Sequence, residues 1–477
     1  MLSALVFGAI FLMVFASLSG FVLSQNRLQD AKAAQLSAFH VAEAGLEYYR
    51  WFLSHFPDDL TNKTGTEGPY VMPYEDPEQG VIGEFSLDVV GNTLCGEITS
   101  VDLFSTGHLY THPSIEKTIR ARYARPSVAG YSYVINENVW AGDDRIISGP
   151  YHSNGGVRMD GEANAPVTSS LLSWLCTSGF GCSPSGTVAG VFGDGGNQHL
   201  WSYPVPQIDF SAISANFSNL KSIAQSEGLY FAPQGGASNS QRGYELRFNA
   251  NGTVTVYRIA RATWVNMYPL DGSGEYPQRE YSIPIAHGQG TGQGDGQGTI
   301  LVGTYTIPEG CPLIFVEDRA WVSGTIQGKV TVVIADVTTS GYAPDAYLRN
   351  NITYTTTAGT DGLTLIAERN VLITPDSPQN MTLHGIFVAQ NGAFGRNLYT
   401  CAYPDYDDKG TLTLLGTTVS NKRTGTQWTY SGFGCGNNRI SGYHTRVDAY
   451  DRRLSTDPPP FTPATSPDYR FVEWREE

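Results

Sequence analysis

The chain has 477 residues and a formal net charge of −15, which argues against a nucleic-acid or acidic-lipid partner because a polyanion is repelled. With 41% hydrophobic residues it can fill a core, which argues against a disordered chain. The 53 glycines, 27 tyrosines and only 16% charged residues point to a turn-rich, extracellular, mostly β body, long enough for more than one domain.

Met1 to Ser24 carries no charge, and Arg27 and Asp30 are the first basic and acidic residues. An apolar run of this length, from Leu2 through Phe7, Phe11, Phe15 and Leu18 to Leu23, spans a bilayer core as a helix. No breaker follows. Ala31, Ala34, Ala38, Ala42, Gly45, Tyr49, Phe52 and Phe56 recur at three- and four-residue spacing, so the same helix continues as an amphipathic one until Pro57. A cleavable signal peptide has a shorter apolar core, a basic start and an unrelated mature sequence after it. An ordinary single-span anchor explains the first 24 residues, but not the small-residue stripe beyond them.

An uncharged span running into AFHVAEAGLEYY (Ala38–Tyr49) resembles the minor pilins of type IV pili of the PilX-like kind. It is also similar to the K-type minor pseudopilin of type II secretion. The resemblance covers the first 56 residues, and its core is Ala42, Glu43, Ala44, Gly45 and Leu46. It implies a filament component that packs against other pilin or pseudopilin subunits through this helix, with Ala31, Ala34, Ala38, Ala42 and Gly45 allowing close approach. It further implies a single-pass inner-membrane protein before assembly, in contact with lipid. After assembly the body is expected in an extracellular filament or the periplasm. Members of the family begin with a short basic leader, so one is expected upstream of Met1; Arg27 and Lys32 alone would hold the body in the cytoplasm. Major pilins carry an acidic residue inside the apolar run. None precedes Asp30 here, which implies a few copies at the filament tip.

Asp58 to Gly80 reads as a surface loop flanked and punctuated by prolines. Val81–Val90, Ile98–Tyr110 and Ile115–Tyr123 read as an antiparallel meander with one buried face, because apolar and polar residues alternate. STGHL (Ser105–Leu109), in the middle strand, is also similar to the family. From Gly130 onward short apolar strands follow one another with Gly, Asn and Asp between them. That is the texture of a β-solenoid, with a β-sandwich as the alternative. The expected organisation is a helix over 1–56, a meander over 57–129 and a solenoid body over 130–206 and 299–477. A helix-and-hairpin insert over 207–298 completes it. Within the insert, Asp209 is expected to cap a helix carrying Phe210, Ile213, Phe217, Leu220 and Ala224, which Gly228 stops. Tyr244–Phe248 and Thr253–Ile259 read as a hairpin, and Gly288–Gly298 as a flexible Gly-rich loop. The insert and the tail Tyr443–Pro463 are also similar to long extracellular parts of PilX-like proteins.

The six cysteines, even in number, fit a disulfide set. Cys176 with Cys182 and Cys401 with Cys435 are the expected pairs; whether Cys95 meets Cys311 is open. No residue pattern selects a catalytic group, and no cofactor is expected beyond calcium. Asp405, Asp407 and Asp408 form part of a calcium-loop pattern without its final Glu, and a solvated acidic turn is the other reading. Trp140, Trp174, Trp201, Trp428, Tyr399, Tyr403 and Tyr430 are candidates for a surface that binds a glycan or a protein. The alternative function is a membrane-anchored surface β-helix protein, a glycan-active enzyme or an adhesin unconnected to pili.

Overall fold

The computed structural model describes residues 2–57, 59–211, 214–234, 240–270, 277–285, 298–338, 341–466 and 468–476, for residues 2–5 by backbone alone. Asp58, Ile213 and the Gly-rich loop up to residue 297 therefore lie outside the described residues. The chain divides into two compact units: Met1–Thr93, Glu97–Arg125 and Pro467–Glu477 form the first, Leu94–Gly96 and Pro126–Ser466 the second.

The first unit is one long helix and one antiparallel sheet. Helix α1 (Leu2–His55) is continuous. It meets no proline until Pro57, which disfavours helical backbone at Phe56 and ends it. Strands β1 (Tyr70–Asp76), β2 (Gly80–Leu94), β3 (Glu97–Leu109) and β4 (His112–Ala124) lie in chain order across a five-stranded sheet, and Arg470–Glu476 completes it beside β4. The pairings β1–β2, β3–β4 and β4 with the C-terminal strand are antiparallel.

Two expectations change here. The proline-rich stretch read as a loop contains β1, where Pro73 stands opposite Glu84. An edge strand tolerates a proline because its outward N–H is not needed. The tail assigned to the body instead supplies the fifth strand of this sheet. The core of the unit is one-sided: Phe85, Leu87, Val101, Leu103, Ile119, Ala121 and Tyr123 cluster with Val41, Ala42, Leu46, Tyr49, Phe52 and Leu53 of α1. Each large side chain buried there contributes about 1.5–3 kcal/mol.

The second unit is built on parallel pairing. In its longest ladder, Leu229–Phe231, Leu313–Val316, Lys329–Ile334 and Gly362–Ala367 lie side by side, followed by residues 386–389 and 418–420. Tyr133–Ile135, Tyr151–Ser153, Val167–Ser169 and Trp201–Ser202 continue it. A second parallel ladder joins Tyr244–Phe248, Ala320–Gly324, Ala346–Leu348, Val371–Ile373 and Phe394–Gly395. A third runs through residues 412–416 and 442–449 to Arg145–Ser148 and Glu162–Ala163. This parallel pairing is not the antiparallel arrangement that the β-sandwich alternative requires.

Stack order differs from chain order. The chain joins the ladder in its middle, at Tyr133, and walks outward to Trp201–Ser202 at one end. It then restarts at Leu229 on the other end and walks back to Ser420, beside Tyr133–Ile135. Its first and last segments consequently meet: Thr465 N–H donates to the Pro126 carbonyl at 2.7 Å, and Val128 N–H to that of Pro463 at 3.0 Å.

The stretch expected as an insert is woven into these ladders through Leu229–Phe231 and Tyr244–Asn249. Tyr244–Asn249 and Thr253–Ile259 form the expected hairpin, and Thr299–Thr306 adds a further antiparallel strand. Helix α2 covers Phe217–Ser226 and starts later than the expected cap. Asn216 accepts the Asn219 N–H, whereas Asp209 accepts from Ser211 in a turn. Leu220 and Ala224 of α2 join the ladder core.

Candidate assembly helix

The two halves of α1 have opposite surroundings. At about 1.5 Å per residue the helix is roughly 80 Å long. Its first half is apolar and bare, with Phe7, Phe11 and Phe15 at 75, 70 and 61% exposure. By length and composition it can cross a membrane. Its second half is docked on the sheet of its own unit.

Docking depends on small residues facing each other. A Cβ on Gly107 of β3 would lie inside van der Waals distance of the Ala42 nitrogen and the Ala38 carbonyl oxygen. A Cβ on Gly45 would collide with Ser105 Oγ and the Phe85 ring. Helix and strand therefore approach backbone to backbone, which only glycine at 107 allows. Tyr123 Oη donates to the Leu46 carbonyl at 3.2 Å.

This relocates the packing stripe. Ala34, Ala38, Ala42 and Gly45 are buried against the chain's own sheet rather than held open for another helix, while Ala31 at the margin is half-buried. Of the family-like motif, Ala42, Gly45 and Leu46 are buried; Glu43 and Ala44 are partly exposed. The small residues of STGHL, Ser105 and Gly107, are their partners.

The opposite face of the docked half is open. Leu36 and Trp51 are 59 and 55% exposed. His40 faces Glu43 at 3.0 Å and Arg50 faces Glu47 at 3.2 Å, exposed pairs that contribute little to stability. Asp30, the first carboxylate of the chain, is met by His112 Nε2 at 3.2 Å. On the far side of the sheet Asp102 receives Arg122 at 2.7 Å and Arg120 at 3.1 Å. Burial opposes its ionisation, but the bonds from Arg122, Asn92 and Arg120 outweigh it and hold its carboxyl at about 2.

In the acidic loop of the second unit two carboxylates are engaged by protein side chains. Asp407 is buried against Arg439, at 3.1 Å, and Asp408 meets His444 at 2.6 Å. Lys409 turns its ammonium inward instead, donating to the carbonyls of Ser377 at 2.8 Å and Asp405 at 3.2 Å. Burial and the nearby Arg396 lower its pKa to about 8. Among the described residues no three His, Cys, Asp or Glu side chains converge.

Cys176 is bonded to Cys182 and Cys401 to Cys435, and Cys95, whose pairing was open, is bonded to Cys311. With no free cysteine this set fits an oxidising compartment. Of the candidate surface aromatics, Trp174, Tyr399 and Tyr430 are buried; Trp140, Trp201, Tyr403 and Trp428 are partly exposed.

No family model matches the chain. No curated protein matches it either. Among solved structures, the crystal structure of the competence-associated pilin ComZ from Thermus thermophilus is similar over 93% of this chain and 97% of that one. The identity is 12% and the TM-score 0.28, a superposition too loose to bear on this chain's role.

Proposed function

We propose that the protein is a minor, pilin-like subunit of a type IV pilus or type II secretion-like filament. It serves in assembly, tip initiation or adhesion rather than catalysis. The observation that carries this reading is the division of α1. One uninterrupted helix docks its outer half on its own antiparallel sheet and leaves its inner half apolar on every side. Such an inner half can lie in lipid and then exchange lipid for neighbouring helices, because both are apolar and packing decides between them. The body, on this reading, is a β-solenoid carried outside the cytoplasm, a view supported by its parallel ladders and three disulfides.

The apolar half carries no carboxylate with which to meet a neighbour's terminal amine. An unmatched charge in a low-dielectric filament core costs several kcal/mol, so the lowest cost falls at a filament end. The expected abundance is a few copies per filament.

Quantifying the subunit in sheared filaments against the principal subunit tests this. Recovery at a small, fixed ratio is expected. Recovery as the principal shaft subunit would refute the tip position, and retention of all copies with the membrane would favour an anchored surface protein. Leu36→Glu, on the open face of α1, is expected to lower incorporation while leaving the thermal midpoint unchanged.

A further inference from the structure

A cavity of about 630 Å³ opens in the second unit where several distant segments, Pro269 and Leu270 among them, meet. Asn136 to Asn138 and Asn154 line one side, Phe180 another, and Arg423 with Trp428 a third. Its volume is that of a small-ligand site.

Arg423 sets its chemistry. The guanidinium lies between two rings, 4.5 Å from the Phe180 centroid and 5.7 Å from that of Trp428. Most of the buried carboxylates in this unit are matched to a cation: Arg145 with Asp448, Lys221 with Glu317, Arg242 with Asp318 and Arg369 with Asp345. Among the described residues no carboxylate is bonded to the Arg423 guanidinium. The adjacent Glu137 is engaged by Lys422 Nζ, at 2.8 Å, and by the Arg423 main-chain N–H, at 3.1 Å. Burial lowers the Arg423 pKa below its usual value.

The rest of the wall is fixed in place. Phe180 sits inside the short Cys176–Cys182 disulfide loop, and its carbonyl accepts from Arg158 at 2.8 Å. Trp428 Nε1 donates to the Arg396 carbonyl at 2.7 Å, which holds the indole in orientation. Asn138 uses its Oδ1 on the Gly156 N–H at 2.7 Å, and among the described residues its NH2 group has no bonded acceptor. A cation and an amide donor beside a partly exposed indole match a ligand that has a carboxylate, acceptor oxygens and a ring with an apolar face.

We propose that this cavity binds a carboxylate-bearing sugar, Arg423 taking the carboxylate, Asn138 a ring or hydroxyl oxygen, and Trp428 a sugar face. A guanidinium takes a carboxylate through two parallel bonds, and aromatic faces accept the C–H side of a sugar. An acidic peptide offers the carboxylate but no rigid ring to lie on the indole. The site is independent of the role of α1, so its failure would leave the filament reading standing.

The test is titration of full-length protein in detergent with trigalacturonic acid, its uncharged methyl ester and a triglutamate peptide. Trigalacturonic acid is expected to bind at least about tenfold more tightly than either of the others, as loss of a charge-assisted contact predicts. Arg423→Gln should reduce that binding about tenfold, and Arg423→Lys should retain part of it. Asn138→Asp keeps an acceptor for the Gly156 N–H and places a negative charge in the cavity that Arg423 lines. It should weaken binding of the acid but not of the ester, which guards against a folding defect in the arginine variants. Equal binding of acid and ester, unchanged binding by Arg423→Gln, preference for the peptide, or no binding of the acid would each overturn the proposal.

Discussion

Strand β3 buries Val101, Leu103, Ser105 and Gly107 under α1, with less buried residues between most of them, whereas Gly362–Ala367 in the second unit is buried at every position. Antiparallel strands with one covered face can carry an alternation that shows in the sequence. Strands in a parallel ladder with cover on both sides cannot, and they read as unbroken apolar runs. The first unit thus depends on one close helix–strand approach, and the second on many stacked side chains in register. Breaking each should have a different signature.

The largest effect is expected from the stacked core. Phe387 is fully buried in register with Leu365 and Thr418. Phe387→Ala should cost about 3–5 kcal/mol, because the removed ring leaves a cavity that fixed neighbours cannot fill. In denaturant unfolding followed by proteolysis, the ladders should be cut early while α1 and its sheet remain protected. Simultaneous loss of both units would show that they unfold as one.

Gly107→Ala should be next, at about 2–3 kcal/mol, since the added carbon meets main-chain atoms of α1 rather than a yielding side chain. Hydrogen exchange should accelerate over residues 34–53 and leave the ladder amides unchanged. Unaltered exchange in α1 would mean that the close approach is not what holds the helix.

Asp102→Asn should cost about 1–2 kcal/mol at pH 7 and remove an acid dependence. The folded carboxyl titrates near 2, below its unfolded value of 3.8, so its stabilisation is present above about pH 4 and lost as pH falls towards 2. The variant's stability curve should converge with wild type across that window.

The smallest effect is expected at Lys409. Its folded pKa of about 8 lies below the ordinary 10.5, so between those values the unfolded chain binds the extra proton and stability rises with pH. Wild type should gain about 1 kcal/mol over Lys409→Met between pH 8 and 10.5. A parallel pair of curves would show that the ammonium is better solvated than its surroundings suggest.

The sequence makes some of this visible and hides the rest for identifiable reasons. Helix α1 is legible because an uncharged run and a three-to-four-residue spacing join without a breaker, and β2, β3 and β4 because their alternation is local. Strand β1 is hidden by Pro73, which reads as a loop signal until its place at the sheet edge is known. The start of α2 is misread because Asp209 and Asn216 are equally good caps in sequence, and it is Asn216 that accepts the Asn219 N–H. Ladder order leaves no local trace: Thr418 beside Tyr133 is a pairing across most of the body. The Arg423 cavity is invisible for the same reason, since its walls come from residues near 137, 155, 180, 270 and 425. The stripe Ala34–Gly45 is legible as a packing surface, but not the identity of what packs on it.

Order of synthesis gives the C-terminal strand a further meaning. Arg470–Glu476 follows the whole second unit in the chain, yet Tyr469 beside it enters the core under α1 and the Trp474 ring stands edge-on to Phe39 at 6.1 Å. While the ribosome is still making residues 126–466, β4 offers a bare edge and the helix rests on an unfinished surface. Only a chain that has been translated through its body can close that edge. A product truncated within residues 126–466 would lack Arg470–Glu476 and leave that edge of β4 unpaired.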